Sequence, residues 1–107
     1  MPNTVEVTDA TFEQEVERNS GLTIVDFWTT WCAPCRTIAP VLDQIAAERA
    51  DVVKVAKVNA DENLRTIARF NVRSMPTLLF FKSGEIVAQI VGAVPKARIE
   101  ATLQQFA

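Results

Sequence analysis

The sequence contains no histidine, no tyrosine and only two cysteines, Cys32 and Cys35. Without histidine there is no Cys-His nucleophile of the protease kind. A structural zinc site wants four nitrogen or sulfur ligands, so this chain could build one only by sharing it between molecules. Long apolar runs are also missing. The longest uninterrupted aliphatic or aromatic stretch, Leu78 to Phe81, is far too short to cross a bilayer. There is no internal repeat, low-complexity tract or linker. Basic residues are scattered and never interleaved with aromatics, and 11 basic against 13 acidic residues leave a formal charge of −2. An electrostatic grip on nucleic acid or on an anionic membrane is therefore not expected.

What remains is the composition of a folded protein. With 107 residues, 49% hydrophobic and 22% charged, the chain suits one domain, residues 1–107, whose core needs no extra staples. Its first residues, Met1-Pro2-Asn3-Thr4-Val5-Glu6, lack the basic start and apolar run of a secretory signal. A cytoplasmic address is the expectation, with a monomer as the default. In that compartment thiols stay reduced, and a close cysteine pair is more often catalytic or metal-binding than a permanent staple.

Periodicity predicts the elements. Val5-Glu6-Val7 alternates like a short strand, after which Thr8 and Asp9 offer caps to a helix carrying Phe12 and Val16 on one face. Asn19-Ser20-Gly21 breaks that helix. Leu22 to Trp28 reads as a central strand buried on both faces. The helix after Cys32 carries Ile38, Val41, Leu42 and Ile45 inward, ends near Glu48-Arg49, and should be kinked by Pro40. Val52 to Val58 is another strand. Asn59 or Asp61 can cap a helix bearing Leu64, Ile67 and Ala68. Thr77–Phe81 and Glu85–Val91 read as strands flanking a hairpin turn at Lys82-Ser83-Gly84, and Pro95 opens a last helix with Ile99, Leu103 and Phe106 inward. The order β-α-β-α-β-α-β-β-α implies an α/β protein: a mixed sheet, parallel in its first part, with helices on both faces. Chemistry in such sheets gathers beyond the carboxyl ends of the central strands, which is where the cysteines fall.

Trp31-Cys32-Ala33-Pro34-Cys35 is the strongest signal. Two intervening residues at a helix start let both sulfurs bond. Cys32 at the helix N-terminus meets unpaired amides and the positive end of the macrodipole, which favour the thiolate that attacks disulfides. Cys35, nearly a turn further in, should be more buried and less ionised. Cys32 is thus the expected exposed nucleophile and Cys35 the thiol that resolves the mixed disulfide. A purely structural disulfide is the bland alternative, weakened because so short a loop restricts the unfolded chain little. Asp26 stands alone among Ile24, Val25, Phe27 and Trp28. If that strand is buried, burial raises the carboxyl's pKa and makes it a proton acceptor for Cys35; otherwise it is an Asp at a fraying strand end. Lys57 either offsets that charge or reaches solvent. Trp28 and Pro40 read as a core residue and a helix kink. Gly92 would allow close backbone approach, or is simply a loop glycine.

Asp26-Phe27-Trp28, Trp31-Cys32-Ala33-Pro34-Cys35, Lys57-Val58-Asn59-Ala60-Asp61, Val72-Arg73-Ser74-Met75-Pro76-Thr77 and Val91-Gly92 resemble the thioredoxin family in order and spacing, from about Val5 to Phe106. The resemblance implies the thioredoxin fold, a five-stranded mixed sheet flanked by four α-helices. It implies a protein-disulfide reductase with no bound cofactor beyond a redox-active Cys32–Cys35 disulfide. Its partners would be disulfide-containing proteins and a flavin- and NADPH-dependent thioredoxin reductase. Cys32, Cys35, Asp26, Lys57 and Pro76 would form the catalytic group, with Asp26 buried behind the cysteines. Pro76 would follow a cis bond and pack against the pair, freeing the backbone before it for an extended substrate; otherwise it is a trans proline trimming a sheet edge. Trp31, Ala33, Pro34, Ser74, Met75, Gly92 and Ala93 would form the substrate surface, with Trp31, Met75 and Ala93 ringing the sulfurs. Such an apolar rim suits transient contact with many proteins.

Departures are modest. Ala33 replaces the usual Gly, favouring the helix start and adding a methyl beside the reactive sulfur, so a modestly altered reduction potential is expected. Thr29 and Thr30 make the approach to the site more polar, Phe70 stands for a frequent Tyr, and Ser74-Met75 replaces a Gly-Ile pair. Two alternatives compete: an oxidase or isomerase of the same fold, and a binding module without turnover.

Overall fold

The computed structural model describes residues 3–107, so Met1 and Pro2 of the expected domain lie outside the described residues. Five strands form one sheet in the order β1-β3-β2-β4-β5, with β1 (Thr4–Glu6), β2 (Leu22–Trp28), β3 (Val53–Asn59), β4 (Thr77–Lys82) and β5 (Glu85–Val91). The β1–β3 and β3–β2 pairs are parallel, while β2–β4 and β4–β5 are antiparallel. Four helical segments connect them: a π-helical turn Glu13–Glu17, α1 (Ala33–Glu48), α2 (Leu64–Arg69) and α3 (Lys96–Phe106), with a 3₁₀ turn at Ala60–Glu62. The expected element order and mixed sheet are the observed ones. None of the described helices is long and apolar enough to cross a membrane.

Strand alternation sorts side chains into two cores. Leu22 and Ile24 of β2, Val53 and Val55 of β3, and Leu78 and Phe80 of β4 pack with Ile38, Leu42 and Ile45 of α1 and Ile99 and Leu103 of α3. The alternate residues, Val25, Phe27, Ala56, Val58, Leu79 and Phe81, join Phe12, Val16 and half-buried Ile67 and Phe70 on the opposite face. There Phe12, Phe70 and Phe81 meet at centroid distances of 5.2 to 5.8 Å, two of the three pairs edge-on. Two helices thus cover each face, and β2, paired on both edges, is buried from Leu22 to Phe27. α1 continues through Pro40, which is exposed.

Local capping differs from the sequence-based expectation in instructive ways. Asp9 does not cap the helical turn that follows it. Its carboxylate accepts hydrogen bonds from the backbone N–H groups of Arg65 (3.2 Å) and Thr66 (2.9 Å) and from the Thr66 hydroxyl (2.5 Å), capping α2 from far along the chain. The Thr66 hydroxyl bond holds the Asp9 pKa below the ordinary carboxylate range, and the two backbone bonds act in the same direction. Asn59 caps the 3₁₀ turn by accepting from Asp61 N–H. The face expected for α2 is also rotated, since Thr66 is buried and Leu64 is 68% exposed. A helix held at its start by Asp9 and at its end by Asn71 takes its orientation from those ends. Asn71 (φ 55°) is left-handed, with Asn71 N–H donating to Ala68 and Val72 N–H to Ile67, a Schellman closure with asparagine in the usual glycine place.

The hairpin turn is a two-residue Ser83-Gly84 loop, both with positive φ (50° and 82°), as the twist of the flanking strands prefers. A Cβ on Gly84 would also run into the backbone carbonyl of Glu17. Gly84→Ala should therefore cost about 1–3 kcal/mol in denaturant unfolding; an unchanged midpoint would contradict this. Asp9→Ala should cost about 1–2 kcal/mol at pH 7. Because its folded-state pKa is depressed, that contribution is present above the unfolded value and shrinks as pH falls below about 4. Urea titrations at pH 7 and pH 3 would show the difference.

Candidate active site

Register brings several loops to one end of the sheet. Trp28 ends β2 beside Asn59 at the end of β3, while Phe27 lies opposite Thr77 at the start of β4, which pairs with Val91 at the end of β5. The segments 29–32, 60–63, 74–76 and 92–93 therefore leave the sheet at this common end. Cys32 is the N-cap of α1, with extended φ/ψ (−92°, 109°), and its Sγ accepts a hydrogen bond from Cys35 N–H at 3.2 Å. The sulfur thus occupies the position where a capping oxygen usually sits. Ala33 and Pro34, both exposed, form the first helical residues, proline being tolerated where no donor is needed. Cys32 and Cys35 are joined as a disulfide with Cα atoms 5.3 Å apart.

The expected contrast in exposure between the cysteines is not observed. Cys32 is 5% and Cys35 4% exposed. Joined across a single turn, the two residues are equally buried, and what separates them is position relative to the helix end. Trp31, by contrast, is 69% exposed, and its Nε1 donates to Asp61 Oδ2 at 2.9 Å. The exposed indole is thus anchored by a residue that the sequence pattern assigns only to capping.

Behind the pair, Asp26 lies on the α1–α3 face of β2, in line with Leu22 and Ile24, and is fully buried. Neither carboxylate oxygen has a hydrogen-bond partner. Burial pushes its pKa up to about 7, against an opposing pull from the Lys57 ammonium; the negative charge of Asp43 adds to the rise. Lys57, half-buried, is its register partner on β3. A cleft of about 320 Å³ connects these groups, lined by Asp26, Trp28, Thr29, Cys35, Arg36 and Lys57 among others. Trp28 belongs to neither core cluster and lines this cleft instead, correcting its assignment as a core residue. Thr29, expected to add polarity at the approach, is 2% exposed, whereas Thr30 is exposed and its carbonyl accepts from Arg36 Nη1 at 2.9 Å.

The opposite loops are equally defined. Met75–Pro76 is cis, Pro76 is buried, Met75 is half-buried and Ser74 is exposed. The Thr77 hydroxyl donates to Ser74 carbonyl at 2.6 Å, and Gly92 N–H donates to Pro76 carbonyl at 2.9 Å. Ala93 is exposed beyond it. Gly92 is not a point of close approach, because a Cβ there would meet no atom within 4 Å; its φ of 98° is what calls for glycine. Among the described residues there is no cluster of three or more His, Cys, Asp or Glu side chains that could hold a metal ion.

The sequence has close relatives among known proteins. The sequence model of the thioredoxin family matches residues 3–105. The chain is 50% identical to a thioredoxin of Porphyra purpurea over 94% of both chains, and 52% identical to thioredoxin 1 of Synechococcus elongatus over 92% of both. It is 47% identical to thioredoxin 1 of a Nostoc species over 98% of both chains. The chain belongs to the thioredoxin family and is a thiol–disulfide oxidoreductase whose redox centre is the Cys32–Cys35 pair.

Proposed function

We propose that Cys32 is the attacking thiol and Cys35 the resolving thiol of the protein-disulfide reduction that this oxidoreductase carries out. The observation that carries the assignment is the capping position of Cys32 Sγ at the start of α1. In the reduced protein that position offers a thiolate the end of the helix where amide protons converge. The Cys32 thiolate attacks one sulfur of a substrate disulfide, forming a mixed disulfide and releasing one substrate thiolate. Cys35 then gives its proton to the Asp26 carboxylate and attacks the Cys32 sulfur. The second substrate thiolate leaves, the Cys32–Cys35 disulfide forms, and two electrons have passed to the substrate.

Asp26 suits the acceptor role because a group titrating near neutrality is populated both as acceptor and as acid at working pH. Lys57 tempers the cost of its charge. Trp31, Ala33, Pro34, Ser74, Met75, Gly92 and Ala93 form the surface that meets the substrate, and Pro76 shapes the backbone before it. Residues 1–107 act as a single domain without a bound cofactor, cytoplasmic and monomeric. A flavin- and NADPH-dependent thioredoxin reductase returns the electrons, and the substrates are disulfide-containing proteins rather than nucleic acid or membrane.

Insulin reduction coupled to NADPH through a thioredoxin reductase tests the assignment. Cys32→Ser should abolish turnover, whereas Cys35→Ser should retain the first attack and accumulate mixed disulfides visible on non-reducing gels. Absence of turnover in the wild-type protein would favour the reading as a non-catalytic binding module, and retained turnover in Cys32→Ser would remove Cys32 as the attacking thiol.

The buried carboxyl also sets a pH signature. The folded-state pKa of Asp26, about 7, lies above the model value of 3.8, so folding favours its protonated form. That stabilisation is complete below about pH 4 and is lost as pH rises through 7. The difference amounts to about 4 kcal/mol at most. Asp26→Asn should flatten this fall and make the oxidised protein about 2–4 kcal/mol more stable than wild type at pH 8. Identical pH slopes in urea titrations would remove Asp26 as the desolvated group.

A further inference from the structure

Among the described residues, the large apolar side chains that stand exposed are Trp31 at 69%, Leu64 at 68%, Val91 at 52% and Ile86 at 47%. Three of them gather at the redox end of the sheet. Trp31 precedes Cys32, Val91 ends β5 opposite Thr77, and Leu64 opens α2 directly after the 60–63 segment. Ile86 lies apart, near the hairpin and opposite Phe81.

Leu64 is held outward by its neighbours. Asn63 is buried; its side-chain amide donates to the Asn59 carbonyl at 2.9 Å and accepts from Asp9 N–H at 2.8 Å. On the other side, the Asp9 carboxylate binds the N–H groups of Arg65 and Thr66. The same turn carries Asp61, whose N–H donates to Asn59 Oδ1 at 3.0 Å and whose Oδ2 accepts from Trp31 Nε1. The indole and Leu64 are thus fixed to one short, internally bonded turn. Three peptide units keep Leu64 Cα within about 11 Å of Asp61 Cα. Arg65, Thr66, Ala68 and Arg69 line a cleft against the Glu13–Glu17 turn, and Leu64, about 100° round the helix from Arg65, is turned away from it.

We propose that Leu64 is a second apolar anchor for the protein substrate, receiving an apolar side chain that the substrate presents beside its disulfide. This rests on Cys32 being the attacking thiol and on Trp31 belonging to the surface that meets the substrate. A protein disulfide that reaches Cys32 brings its own surface down onto this end of the sheet. Even a small transient interface covers roughly 600 Å² of each partner, more than one indole supplies. Leu64 offers apolar area that folding leaves unused, on a backbone already fixed, so little ordering cost offsets its burial.

Pre-reduced protein, mixed with insulin or with hydroxyethyl disulfide and quenched by rapid alkylation, gives second-order rate constants for both substrates. Hydroxyethyl disulfide has no surface to lay over the turn. Leu64→Ser should slow the reaction with insulin roughly three- to tenfold. Its rate with hydroxyethyl disulfide and its urea midpoint should match wild type, and Leu64→Met should recover the insulin rate. Ile86→Ser, which removes an exposed apolar side chain away from this end, should leave both rates unchanged.

Equal insulin rates for wild type and Leu64→Ser would overturn the proposal. So would equal slowing with both substrates, failure of Leu64→Met to recover, or the same loss in Ile86→Ser. Should Leu64→Ser prove unstable in urea, Leu64→Gln decides. A Cys32→Ser protein that still exchanged at the wild-type rate would remove the reading of Cys32 itself. An inert Cys32→Ser protein beside a Leu64→Ser protein with a normal insulin rate would remove the Leu64 role alone.

Discussion

A carboxylate buried without a hydrogen-bond partner in the central strand is the constraint around which the rest of the site is arranged. β2 is paired on both edges and covered on both faces, and Asp26 within it has no exposed surface. Burying an ionised carboxyl in such a place is expensive, and a group so placed shifts its titration rather than keep its charge. Lys57 tempers the shift without forming a salt bridge. The strand that anchors both hydrophobic cores therefore also carries a carboxyl with a raised pKa that lines one cleft with Cys35.

The second determinant is where the chain turns. β2 ends at Trp28, and α1 begins at Ala33 with Cys32 as its cap, so the sulfur lies where the helix exposes its unpaired amides. Register in the neighbouring strands delivers the other loops to the same end. The Gly92–Pro76 hydrogen bond ties two of them together, and the Trp31–Asp61 bond holds the exposed indole. The result is a hydrogen-bonded frame beneath exposed Trp31 and Ala93, at the same end of the sheet as the cysteines.

Much of this was legible in the sequence because it rests on local pattern. Leu22–Trp28 read as a doubly buried strand from its unbroken apolar content. α1 read as a helix from the spacing of Ile38, Val41, Leu42 and Ile45, and the hairpin from Lys82-Ser83-Gly84, of which Lys82 belongs to the end of β4. The bonded cysteine pair was legible from its spacing, and the burial of the lone Asp26 from the apolar residues around it. What was hidden depends on contacts distant in the chain. Asp9 looks like the cap of the helix after it and caps α2 instead. Leu64 fits an inward stripe but faces solvent, because the ends of α2 fix its rotation. Thr29 was expected to make the entry to the site more polar and is buried instead, since nothing in its own neighbourhood announces the cleft. The near-equal burial of Cys32 and Cys35 is a property of the folded chain that their spacing does not encode, and the need for glycine at position 92 lies in its φ rather than in crowding.

The most direct test of the account is a carbon-13 NMR titration of the Asp26 side-chain carboxyl in the oxidised protein, assigned by comparison with Asp26→Asn. A midpoint near 7 is predicted. A midpoint in the ordinary aspartate range, near ~4, would mean that the carboxyl is solvated in the folded protein and would contradict its coupling of the core to the cysteine pair.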